Sequence, residues 1–119
     1  MANDTQGTQT DEVIIDEEPS GRSRANLTIA SGVGAVAVGQ VLELSGTEYV
    51  LVATAGSAAA VATEAVDATS AAKECICMVR ECKVRKSLLS YNSMVEATVD
   101  AALTALGIIP QAGPTQTTL

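Results

Sequence analysis

The sequence predicts a mostly β domain with one well-signalled C-terminal helix and an extended N-terminal arm. Three observations carry that expectation. Short β-branched segments alternate with Gly- and Ser-containing breaks through the middle of the chain. One stretch near the end has helical apolar spacing with signals at both boundaries. The first residues are acidic and show no amphipathic period.

The arm comes first. Residues 1–21 hold six acids (Asp4, Asp11, Glu12, Asp16, Glu17, Glu18) and no base, whereas residues 22–119 hold eight acids and seven bases. The expected organisation is an arm over 1–22, a β domain over 23–110 and a polar tail over 111–119. Such an arm buries too little to fold alone. Within it, Val13-Ile14-Ile15 stands between Asp11-Glu12 and Asp16-Glu17-Glu18. One reading is a recognition strand that adds to the edge of a partner sheet. The other is an apolar patch kept soluble by acidic gatekeepers. Both expect an extended arm until something captures it.

The body reads as strands in series. Asn26-Leu27-Thr28-Ile29-Ala30 alternates and is broken at Ser31-Gly32-Val33-Gly34. Gln40–Leu44 and Glu48–Val52 flank Ser45-Gly46-Thr47, a hairpin signal. Ala58–Val66 is ambiguous, because Ala favours helix while Val61 and Val66 favour strand. Asp67–Ser70 marks a turn, and Cys75–Val79 is an apolar run expected to be buried on both faces. The helix is expected to open with a capping box of Ser93 and Glu96. Val95, Val99, Ala102, Leu103 and Leu106 then share a face, Gly107 terminates it, and Ile108 folds back onto Leu103. Pro110 bars further helix.

Composition narrows the function. Val, Leu and Ile number 13, 9 and 6, Ala contributes 20, and the only aromatics are Tyr49 and Tyr91. A small core of small aliphatics favours oligomerisation as a source of further burial. The chain has no His, so no Ser-His-Asp, Cys-His or His-ligated metal site arises within it. A net charge of −7 disfavours nucleic acid, and no apolar run reaches the length of a membrane span. The polar, acidic N-terminus is no secretory signal, so the chain is expected to act in a cytosol or in something assembled there.

Motifs with chemical precedent fail on context. Gly32-Val33-Gly34-Ala35-Val36-Ala37 has dinucleotide spacing, but β-branched Val36, Val38 and Val41 follow and no acid lies between Glu48 and Glu64. Ser70-Ala71-Ala72-Lys73 lacks the partner motifs of serine acyl-enzymes. Cys75 and Cys77 share one side of a strand and Cys82 the other, so buried reduced thiols are favoured over a metal centre. Arg80, Lys83, Arg85 and Lys86 form a basic run without aromatics for base stacking. That run suits either a solvated face or contact with acids of a neighbouring subunit. No pair of acids forms a general acid and base; neither an enzyme, a cofactor nor a small-molecule substrate is expected.

Residues from about Ser23 to Ile109 resemble the lambda-type bacteriophage head decoration proteins. The likeness lies in an ordered series: Leu27-Thr28-Ile29-Ala30-Ser31-Gly32, then Gly39-Gln40-Val41-Leu42 with the hairpin into Tyr49-Val50, then Glu64-Ala65-Val66-Asp67-Ala68-Thr69. A strand closing on Val79-Arg80 follows, and Ala101-Ala102-Leu103-Thr104-Ala105-Leu106-Gly107-Ile108-Ile109 is the most specific match. The resemblance implies a small α+β, β-clip-like domain assembled as a homotrimer. Such trimers sit on the outer surface of the expanded capsid at three-fold positions, assembled in the host cytoplasm, and cement it against packaged DNA. Their arms pair with the major capsid protein. Val13, Ile14 and Ile15 are the expected apolar capsid contacts, with Pro19 at the exit of the arm and Leu27 and Ile29 continuing the strand into the body. Arg22 and Arg24 are expected to meet capsid carboxylates. The alternatives are another virion surface module, such as a glycan-binding spike or fibre, or a small thiol or metal protein using Cys75, Cys77 and Cys82.

Overall fold

Five strands close a barrel, and a second layer of helix and sheet packs on its outside. The computed structural model describes residues 14–17 and 23–111. In chain order the elements are β1 (Ile14–Glu17), β2 (Arg24–Ile29), β3 (Ala35–Val36), β4 (Val41–Ser45), β5 (Glu48–Leu51) and β6 (Ala58–Ala62). They continue with β7 (Val66–Asp67), β8 (Lys73–Met78), β9 (Cys82–Arg85), α1 (Glu96–Ala105) and β10 (Ile108–Gln111). Single 3-10 turns lie at Ala55–Ser57 and Lys86–Leu88.

The barrel runs β2-β5-β4-β6-β8. Its seam is the long antiparallel pairing of β2 with β8, from Arg24 opposite Met78 to Ile29 opposite Lys73. Closure comes where Ile29 meets Tyr49 in parallel pairing and the Ala30 N–H donates to the Tyr49 carbonyl at 2.9 Å. The predicted hairpin is present, with Ser45 opposite Glu48 around Gly46-Thr47. The ambiguous Ala-rich stretch is a strand: β6 pairs with β4 and β8. Its helix propensity is overridden by tertiary pairing, because Ala60 and Ala62 fill a narrow interior beside Leu42, Cys75 and Cys77.

The larger apolar side chains gather outside the barrel. Val41, Val61 and Met78 from the barrel wall meet Val84 of β9, Val99 and Leu103 of α1, and Ile108 of β10. A three-stranded sheet, ordered β1-β9-β10, closes this second core on one side. Gly39 lets the two layers approach. It has φ +93°, and a Cβ there would stand 2.2 Å from the Leu88 carbonyl oxygen. Its own carbonyl accepts from the Ser90 N–H at 2.9 Å.

The helix ends as expected and begins differently. The Gly107 N–H donates to the Thr104 carbonyl at 2.9 Å, and Ile108 joins Leu103 in the same core cluster. At the start there is no Ser93–Glu96 capping box. Val95 occupies the N-cap without any side-chain cap, and α1 begins at Glu96. Asn92 and Ser93 have φ of 52° and 66°, in a turn closed by Met94 N–H to Tyr91 carbonyl at 2.9 Å. The Asn92 side chain anchors that turn by donating to the Val52 carbonyl at 2.8 Å. A contact forty positions away in sequence therefore overrides the local cap signal. A smaller correction concerns a strand: Ile76 of β8 is exposed rather than covered on both faces.

Candidate functional site

The arm enters the body at a tight junction of three segments. Ser23 is fully buried; its hydroxyl donates to the Glu81 carbonyl at 2.8 Å and its own carbonyl accepts from the Val79 N–H at 2.8 Å. On the other side of Glu81, Gly107 (φ +88°) leaves room that a Cβ would fill to 3.0 Å from the Glu81 nitrogen. The Gly107 carbonyl accepts from the Cys82 N–H at 3.0 Å. The start of β2, the β8–β9 turn and the start of β10 are thus pinned together.

That placement has a direct consequence for the arm. The sequence predicts an extended segment awaiting capture, and the structure captures part of it within the same chain. β1 pairs antiparallel with β9: Ile14 stands opposite Val84, Asp16 opposite Lys83 and Glu17 opposite Cys82. The register shifts between Ile14 and Asp16. Ile14 is half-buried against the outer core, where Val84 is fully buried. β10 lies parallel on the other side of β9, with Pro110 opposite Val84.

Two members of the basic run sit in different surroundings. Lys83 is in register with acidic Asp16 of β1. Lys86 instead belongs to the helix: its ammonium hydrogen-bonds Asp100, lies 3.5 Å from the Glu96 carboxylate and sits 5.3 Å from the centre of the Tyr91 ring. The Tyr91 hydroxyl donates to the other Asp100 oxygen at 2.7 Å. The hydrogen bond to Asp100 raises the pKa of Lys86. Burial, reinforced by Asp100, raises that of Tyr91. This cluster ties the Lys86–Leu88 turn to α1 and behind it to β9.

Cys75 and Cys77 share one side of β8 as their spacing predicts, whereas Cys82 is separated from them by a turn and belongs to β9. Cys75 and Cys77 face the barrel interior, and Cys82 lies in the outer core; all three are free and buried. Cys77 hydrogen-bonds Cys75, which lowers the pKa of the Cys75 thiol and raises that of Cys77. Among the described residues, no group of three or more Cys, Asp or Glu side chains is placed to hold a metal ion. A shallow cavity of about 430 Å³ lies between Ala35–Ala37 and Ala65–Asp67. Its single carboxylate, Asp67, already accepts from the Thr69 hydroxyl and backbone N–H, which lower its pKa.

Of the residues expected at a capsid interface, Val13, Pro19 and Arg22 lie outside the described residues. Ile14 and Ile15 are in β1. Arg24 is exposed at the start of β2, Leu27 is half-buried on the barrel core, and Ile29 is fully buried in it. The residues that sequence reasoning missed are Ser23 and Val84; Lys83, singled out as part of a basic run, lies opposite β1 of the same chain. The opposite charges of the arm and of the Arg80–Lys86 run were the available signal.

The family model of the bacteriophage lambda head decoration protein D matches residues 4–109. No curated protein matches the chain.

Proposed function

We infer the function from one premise: this chain belongs to the bacteriophage lambda head decoration protein D family. It is a phage head decoration protein, a structural component of the virion capsid. We propose that it binds the outer surface of the expanded head as a homotrimer at three-fold positions. There it cements the major capsid protein lattice against packaged DNA, without a catalytic step or a cofactor. The match over residues 4–109 carries this reading. The small-residue barrel, the strand-forming arm and the acidic balance of the chain support it.

The mechanism is thermodynamic linkage. A ligand that binds expanded shells and not precursor shells adds its binding free energy to the expanded state. The arm adds a strand to the major capsid protein through Val13, Ile14 and Ile15, with Arg22 and Arg24 beside the exit. Leu27 and Ile29 carry the strand direction into the body. Three arms on one trimer turn weak strand contacts into avidity. Deleting residues 1–20 is expected to leave a folded trimer, by circular dichroism and light scattering, that no longer co-sediments with expanded heads. Undiminished binding by the folded deletion variant contradicts the role of the arm.

A further inference from the structure

The two outer strands of the β1-β9-β10 sheet are built differently. β10 is held by the end of α1, and Pro110 removes a backbone donor from it. β1 has only four residues, and its pairing with β9 shifts register midway. A short edge strand with an irregular ladder is held weakly. Its charge is opposite to that of its receptor. Asp16 and Glu17 lie in β1, between Asp11-Glu12 and Glu18 in sequence, whereas β9 and its flanks carry Arg80, Lys83 and Arg85. The register sets Asp16 opposite Lys83.

We propose that β9 is a receptor edge for the acidic arm strand, holding Ile14–Glu17 in cis in the free protein, and that this strand leaves β9 when the arm adds to the capsid. The proposal rests on the capsid reading above and extends it. β9 and the capsid compete for one strand, so the apparent affinity for heads falls by the fraction of arms still parked. Pairing in cis also keeps a β-branched segment from adding to other sheet edges before a head is available. Because the sequence of the arm is acidic and that of β9 and its flanks basic, salt is expected to loosen the parked state.

Asp16→Cys/Lys83→Cys in the full chain tests this directly. Residues opposite each other in an antiparallel pair stand close to disulfide reach, and the native thiols are buried. The reduced double variant is expected to bind expanded heads at least as well as the unaltered chain, and the oxidised one at least tenfold more weakly. Equal binding by the two forms overturns the proposal, because the arm would then act while still on β9. Hydrogen exchange on the free chain supplies a readout independent of capsids. Lys83→Glu is expected to speed exchange of the Ile14–Glu17 amides severalfold while barrel amides keep their rates; unchanged arm exchange overturns the receptor edge. Failure of the unaltered chain to bind heads removes the capsid reading and the competition with it, and the exchange result then decides the cis pairing alone.

Discussion

The two cores of this molecule are made of different material. In the cluster of the barrel interior, Ala60, Ala62, Cys75 and Cys77 share the space with Ile29 and Leu42, joined by Val36 and Ala68 from the adjoining β3–β7 ribbon and its end. Between the barrel and the outer layer lie Val41, Val52, Val61, Met78, Val84, Val99, Leu103 and Ile108. A five-stranded barrel encloses little volume, so its interior accepts small side chains and gains little from each. Fully burying a Val, Leu, Ile or Met contributes about 1.5–3 kcal/mol, which places most of the hydrophobic stabilisation in the outer core. The barrel sets the geometry, and the outer layer supplies much of the cohesion and holds the receptor strand for the arm.

The sharpest way to break that division is at the contact between the layers. Gly39→Ala forces a Cβ against the Leu88 carbonyl in a left-handed backbone, combining a clash with conformational strain. It is expected to cost about 3 kcal/mol or more, read as a lower denaturation midpoint at unchanged slope. Next comes a matched pair. Leu103→Ala empties the outer core and is expected to cost about 2–5 kcal/mol, whereas Ala60→Val overfills the barrel at about 1–3 kcal/mol. Chemical denaturation ranks the two, and the opposite ranking would place the main stabilisation inside the barrel.

A smaller effect concerns the Lys86–Tyr91–Asp100 cluster. Both Lys86 and Tyr91 have raised pKa values in the fold. The stabilisation they contribute is therefore fully present below their unfolded values, about pH 10, and is lost as pH rises beyond them. Tyr91→Phe is expected to cost about 1 kcal/mol at pH 8 through the lost hydrogen bond. Its stability should then fall less steeply than that of the unaltered chain above pH 10. Parallel alkaline slopes would remove Tyr91 from the account.

The legible parts of the fold were those with local causes. The Gly46-Thr47 hairpin and the Gly107 helix end follow from neighbours in sequence, and so does the shared side of Cys75 and Cys77. The helix start is not legible locally, because the Asn92-Ser93 turn depends on the distant Val52 carbonyl. The Ala-rich strand was ambiguous until barrel closure selected it over helix. At the site, the opposed charges of the arm and the basic run are legible in the sequence, but the pairing of strand β1 with β9 is not. Asp16 and Lys83 are far apart along the chain, and the register between such segments is a tertiary feature that no local signal encodes.

Co-sedimentation of the full chain with expanded and with unexpanded heads of its parent phage tests the central claim most directly. Saturable binding to expanded heads alone, at three copies per three-fold position, is the predicted result. Equal binding to both forms, or to neither, would contradict a decoration protein that works by stabilising the expanded shell.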